Sequence, residues 1–369
     1  MVRIDVAVAG GGPAGLAAAI AARRKGLSVA VFEGVLPAAA IDKCCGEGLM
    51  PEALDALGEL GIDRPGASVP ISGVCFVECG HAAEARFSGQ AGAGLRRTAL
   101  SSMLMDHARR AGVAMFWGQP VRGLTPRGIR AGDEEVECRW IVGADGSQSA
   151  MRRVAGLESP SECPRRFGLR RHFRIEPWTD LVEAHWAHGV QAFVTPVAEN
   201  EVGVAILSSD PQLRYPDALR LFPELAARLS GAAATSNVRG AVTASRRLNR
   251  VTTHNLALLG DASGSVDSVT GLGLSMAFQQ AVALGEALGR EDLSLYATQH
   301  HRLAKRPRVM ESVMLAMDQR DTLRRRAIRT LEAEPAHFSS LLSVHTGASS
   351  ALTFALRAPL ALGWRFLTV

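Results

Sequence analysis

Gly10-Gly11-Gly12-Pro13-Ala14-Gly15 stands directly after the apolar run Ile4–Ala9 and directly before an Ala/Leu-rich stretch reaching about Arg24. A strand, a G-x-G-x-x-G turn and a helix in this order build a cradle for a dinucleotide pyrophosphate. Gly10 permits the tight turn, Gly12 lets backbone approach the phosphates, and Gly15 lets helix and strand pack closely. Pro13 and Ala14 open the helix, whose free N–H groups and positive dipole end face the ligand. Lys25-Gly26 closes that helix, and Ser28–Phe32 is predicted as a second strand ending at Glu33. Glu33 lies 23 residues after Gly10, placed to accept both hydroxyls of an adenosine ribose. This unit serves NAD and FAD alike.

Two later segments carry an aspartate after an apolar strand and beside small residues. One is Trp140-Ile-Val-Gly-Ala-Asp145-Gly146-Ser-Gln-Ser, and the other runs from Leu256 through Gly260-Asp261 to Thr270-Gly271-Leu272-Gly273. With the N-terminal unit they resemble the three fingerprints of the glutathione-reductase-type FAD fold, over about residues 1–300. The branch is that of the aromatic hydroxylases (class A flavoprotein monooxygenases) and the geranylgeranyl reductases. The resemblance implies that Asp261, after Gly260, hydrogen-bonds the flavin ribityl chain. It implies that the turn Thr270–Gly273 opens a helix to about Leu288, with backbone donors of Gly271, Leu272 and Gly273 aimed at the pyrimidine edge of the flavin, where negative charge develops. Asp145-Gly146 resembles the motif serving both FAD and reduced nicotinamide. Arg97, ahead of a helix over Ser101–Arg110, matches the arginine on the pyrophosphate. Gly118–Val121 resembles the strand whose valine backbone, here Val121, reads the adenine.

Asp42–Pro51 reads Asp-Lys-Cys-Cys-Gly-Glu-Gly-Leu-Met-Pro, close to a segment of the reductase branch that passes near the flavin. Cys45 takes the position that shapes the substrate cavity there, either as a proton donor with a lowered pKa or as a small packed neighbour. Between the second and third fingerprints, Arg170–Ile175, Val182–Trp186, Val190–Pro196 and Val202–Leu207 are predicted as antiparallel strands roofing that cavity. Alternation sets Gln191, Phe193 and Thr195 on one face. Geranylgeranyl reductases carry YxWxFP here, and this chain carries Gln191-x-Phe193-x-Thr195-Pro196. Ser268 and Leu272 also depart from the proline and the polar residue usual at the flavin turn. His185, a lone strand histidine, reads as structural.

The expected fold class is α/β: a glutathione-reductase-type FAD-binding Rossmann fold with an inserted mixed β-sheet substrate domain and a helical C-terminus. The FAD-binding domain is assigned to 1–75, 95–160 and 240–300, the substrate domain to 76–94 and 161–239, and the helical region to 301–369. In the last, Met310, Val313, Met314 and Met317 recur at helical spacing and are expected to face the core. Arg324–Arg326 and Arg329 are expected on a solvated face. The apolar segment 351–369 reads either as a cavity-capping helix or as a surface for peripheral membrane contact.

Composition narrows the function classes. Of 369 residues, 41 are Lys or Arg and 36 Asp or Glu, a balance of only +5, and no basic patch is interleaved with aromatics, so nucleic acid is excluded as a partner. Six cysteines fit neither a zinc pattern nor a disulfide framework. No signal peptide precedes the first strand and no run of ~20 apolar residues occurs, so a cytoplasmic protein is expected. There is no second complete nucleotide unit, so NADPH or NADH would bind transiently at the FAD lobe. The resemblance therefore implies a monooxygenase that hydroxylates or epoxidises a hydrophobic or aromatic small molecule through a flavin hydroperoxide. The alternative it implies is a geranylgeranyl-reductase-like enzyme that reduces isoprenoid double bonds.

Overall fold

The computed structural model describes residues 3–36, 42–159 and 165–350. Val6, Ala7 and Val8 are fully buried, as expected of a parallel strand covered on both faces. This strand, Arg3–Ala9, is central in a sheet ordered 252–253, 256–258, 134–143, 3–9, 29–33 and 114–117. All neighbours but the outermost pair, 252–253 with 256–258, run parallel. Parallel strands end on one edge, so Gly10, Glu33, Ala144-Asp145 and Gly260-Asp261 emerge side by side although far apart in sequence. A hairpin, 121–125 and 128–131, extends from Glu134–Gly143. Its first strand begins at Val121, and 118–120 form the turn before it rather than part of the strand.

Helices Pro13–Arg24 and Gly273–Gly289 pack through small residues: a Cβ on Gly285 would lie 2.8 Å from that of Ala21. The helix expected over Ser101–Arg110 starts earlier and spans Arg97–Arg110. The Glu47 carboxylate accepts the Arg97 N–H at 2.7 Å, providing the cap that the local sequence lacks.

The second sheet is mixed, ordered 233–234, 165–174, 201–208, 190–198, 181–187, 73–78 and 81–86. The strand Arg239–Ala244 shares the outer edge of Arg165–Arg174. Only 181–187 and 73–78 run parallel. Strands Gly73–Glu78 and Arg239–Ala244 of this sheet run across the expected boundaries at 75/76 and 239/240. A small sheet of 48–49, 92–94 and 69–71 abuts it. There a Cβ on Gly94 would fall 1.8 Å from the Pro196 carbonyl oxygen.

Helices Leu293–Gln319, Asp321–Ala333 and Pro335–Thr346 pack over the face of this sheet that carries Phe76 and Phe193. Two expectations are corrected here. Arg324 is not solvated: it is 1% exposed, and its guanidinium holds Glu78 at 2.8 Å and the Met317 carbonyl at 3.1 Å. Burying that face against the sheet edge required a buried carboxylate, which Glu78 supplies. Met310, Val313, Met314 and Met317 do share a face, but it borders a large cavity rather than a filled core. Among the described residues no helix is long and apolar enough to cross a membrane. The segment 351–369 and Cys163 lie outside the described residues, and the other five cysteines are free.

Glu52, in the first turn of helix Pro51–Glu59, is buried, with neither carboxylate oxygen hydrogen-bonded. Burial pushes its carboxyl up to about 7, partly opposed by Arg306. An acid whose pKa is raised on folding binds its proton more tightly in the native state. Its contribution is therefore fully present below about 4.5 and is lost as pH rises through about 7. Glu52→Gln is expected to raise stability at pH 8 by about 3 kcal/mol relative to wild type and to leave it unchanged at pH 4. Thermal melts of both proteins across that range measure this difference.

Candidate functional site

The site begins where the parallel strands end. Gly10 adopts φ +109°, and a Cβ there would meet the Ala144 carbonyl oxygen at 2.4 Å. Gly15 faces Gly10 so closely that a Cβ would lie 1.9 Å from its carbonyl oxygen. Gly12 has no heavy atom within 4 Å of where its Cβ would stand, leaving its backbone open to a cavity of about 1000 Å³. Gly10, Gly12, Pro13, Ala14, Glu33, Arg97, Val121, Asp145, Gly260, Asp261, Gly271 and Gly273 all border this one cavity.

The chemistry of these groups fits a dinucleotide. Arg97 borders the cavity, where its guanidinium suits a phosphate, and its buried Nε has no partner. The Asp261 side chain is exposed to the cavity. The protein packed around it pushes its carboxyl up, opposed by the charges of Arg97, Lys43 and Arg152. The Glu33 carboxylate accepts the Gly11 N–H at 2.8 Å through Oε2 and the Val35 N–H at 3.2 Å through Oε1, which fixes it at the rim of the cavity. Gln280 Oε1 accepts the Gly260 N–H at 2.9 Å and holds the third strand-end turn.

Other expected residues stand differently. Both Asp145 oxygens are engaged within its own loop, accepting from Ser149 Oγ and, at 3.0 Å, from the Met151 N–H. Asp145 therefore shapes the loop rather than offering a free carboxylate. Leu272 is 1% exposed and its side chain does not border the cavity, so only its backbone is available at the turn.

Gln191 is also corrected: it shares a face with Phe193 and Thr195, yet does not border the cavity. Its carboxamide is taken up by Arg166 and Asp318, which cover that end of the strand. Phe193 and Thr195 do border the cavity. Thr195 Oγ1 donates to the Gly46 carbonyl at 2.8 Å and so fastens the loop that bears Cys45. Cys45 faces the cavity beside Cys44, whose thiol burial pushes up to about 12 and so keeps protonated. His185 lies outside the cavity, bonded to Glu183 at 2.9 Å, in keeping with a structural role.

Three positioning groups escaped the sequence reading. Glu47 adopts φ +62°, an unfavourable conformation for a non-glycine residue, and is 3% exposed. Besides capping Arg97, its carboxylate binds Arg170 Nη1 and His172 Nε2, each at 2.5 Å, and Arg170 Nη2 reaches Asp42 at 2.6 Å. The cysteine loop is thus pinned at both ends to the substrate sheet. Arg152, 1% exposed, donates to the carbonyls of Ser147 and Ala262 at 2.8 and 3.2 Å and ties the second strand-end loop to the third. His345 Nε2 donates to the Thr270 carbonyl at 3.0 Å, and burial holds its pKa down to about 4, so the imidazole is neutral. Only Glu47 had a local signal, since it lies inside the quoted cysteine segment.

Beyond Thr270 the cavity turns apolar, bordered by Val74, Phe76, Met314, Met317, Phe338 and Leu342. A nucleotide cleft opening into such a chamber defines an FAD-dependent oxidoreductase. Residues 3–292 match the FAD binding domain family, and the chain belongs to it. It is 27% identical over 322 residues to the menaquinone reductase of Mycobacterium tuberculosis, covering 79% of this chain and 78% of that protein. It is 28% identical over 309 residues to the digeranylgeranylglycerophospholipid reductase of Methanosarcina mazei, covering 77% and 75%. A flavoprotein/dehydrogenase from Cytophaga hutchinsonii superposes with a TM-score of 0.82 at 19% identity, covering 99% of this chain and 98% of that one.

Proposed function

We propose that this enzyme reduces a carbon–carbon double bond in a long lipophilic substrate of isoprenoid character. The observation that carries the reading is the continuity of one cavity from the glycine cradle to the apolar chamber of Met314, Met317, Phe338 and Leu342. The relatives named as reductases of prenylated lipids support it, and they reverse the order of the two readings drawn from sequence. Bound FAD, once reduced by a nicotinamide, would supply the hydride chemistry. The protein's own residues hold and orient. Arg97 and the turns at Gly12 and Gly260-Asp261 bind the dinucleotide, and the turn at Thr270–Gly273, held by His345, presents backbone donors to the ring. Phe193 and the chamber exclude water and align the chain. Cys45 is the group placed to deliver a proton to the second alkene carbon, because its loop is fixed by Thr195 and Glu47. NADPH or NADH is the proposed donor, binding transiently in the same cleft.

Hydroxylation of a lipophilic aromatic molecule is the second reading. Gln191-x-Phe193-x-Thr195-Pro196 in place of YxWxFP, with Gln191 withdrawn from the cavity, favours it. Product analysis separates the two. With NADPH and a polyprenyl lipid under argon, reduction yields a product with two more hydrogens, and Cys45→Ala lowers that yield about 100-fold, the scale of a lost proton donor. Product formed only in air, with one oxygen added and no dependence on Cys45, establishes the second reading instead.

A further inference from the structure

The cavity has an opening whose composition the redox chemistry leaves unexplained. Val242 on the strand Arg239–Ala244 and Val313 on the helix Leu293–Gln319 both border the cavity, yet are 48% and 50% exposed. Val238, just ahead of that strand, is 41% exposed, and Val309, one turn before Val313, is 59% exposed. These are four of the eleven large hydrophobic residues exposed among the described ones, so the exposed apolar surface is concentrated at this rim. Lys305 continues the i, i+4 row of Val309 and Val313, with His301 and Arg302 a turn earlier, all exposed. Arg239, exposed and bordering the cavity, supplies a cation on the strand side, where it also meets Asp42 at 3.2 Å.

Apolar side chains flanked by Arg302 and Lys305 on the helix and by Arg239 on the strand suit the headgroup region of an anionic bilayer, where the valines enter the acyl boundary and the cations meet lipid phosphates. A second copy of this chain suits it less, because a two-fold contact would set Arg302 and Lys305 against their own like charges. We propose that this rim docks on an anionic lipid bilayer and that the substrate enters the cavity between Val242 and Val313. The entry step rests on the lipophilic-substrate reading above, whereas the docking is testable without any substrate.

The FAD-loaded protein is sedimented with vesicles of phosphatidylcholine and phosphatidylglycerol, and with phosphatidylcholine alone. Wild type is expected to bind the anionic vesicles more tightly. Lys305→Glu weakens that binding about fivefold or more, Val309→Asp weakens it about tenfold, and Leu221→Asp, exposed but outside this rim, leaves it unchanged. Flavin absorbance and melting temperature verify that each variant is folded, which the 59% exposure of Val309 favours. Wild type that ignores anionic vesicles, or Val309→Asp that binds as wild type, overturns the proposal. A dimer that Val309→Asp converts to monomer overturns it in favour of self-association. Vesicle binding without turnover of a detergent-dispersed lipid supports docking while contradicting the proposed function.

Discussion

Asp261→Ala is expected to purify largely without flavin and to rebind FAD about 10- to 150-fold more weakly than wild type. That is the scale of losing a hydrogen bond to a charged group. The carboxylate is exposed to the cavity while the protein packed around it and three cations act on it, and its own turn is held independently by Gln280 and Arg152. The substitution therefore removes a ligand-facing group without unbuilding the loop. Asp261→Asn, which keeps one acceptor, is expected to fall between. Flavin absorbance against protein concentration in the purified proteins, followed by fluorescence titration of the apoproteins, measures both. Full FAD occupancy in Asp261→Ala would contradict the placement of the third fingerprint.

The second large effect is expected at Glu47. Removing its carboxylate leaves buried Arg170 with Asp42 alone and His172 with Ser236 alone, and uncaps the Arg97 amide, while the left-handed backbone at that position remains. Breaking a buried pair from one side destabilises by roughly 3–5 kcal/mol. Glu47→Ala should therefore melt well below wild type, and its FAD affinity should fall because Arg97 loses its fixed start. Glu47→Gln can still accept from Arg97 and is expected to recover part of the affinity while remaining less stable. Glu47→Gly relieves the strained backbone but does not restore the lost carboxylate contacts, so it should resemble alanine in affinity. A Glu47→Ala protein with wild-type melting temperature and FAD affinity would show that the cluster positions nothing.

The parts legible in the sequence were those encoded over a few consecutive residues. A strand, its turn and the following helix are contiguous, so Gly10, Gly15, Glu33, Asp145 and Asp261 could be read locally, and parallel pairing then brings their ends to one edge. Groups that meet across long separations were not legible. Glu47 meets Arg170 from 123 residues away, and Arg324 meets Glu78 from 246. No pattern in either segment announces such a partner. Alternation placed Gln191 on the correct face, but a period of two says nothing about what covers a strand. Arg166 and Asp318 do so here. The methionine row showed the same limit: helical spacing identified one helix face without distinguishing a filled core from the wall and rim of a chamber.

Whether one cavity brings a lipophilic alkene to the flavin for reduction is decided by a single anaerobic turnover. Holoenzyme reduced with one equivalent of dithionite is mixed with a polyprenyl lipid under argon, and the absorbance band of the oxidised flavin is followed. The account expects the absorbance to return as lipid is added, with one double bond saturated per flavin. Flavin that stays reduced until oxygen is admitted, with the lipid unchanged, would contradict it.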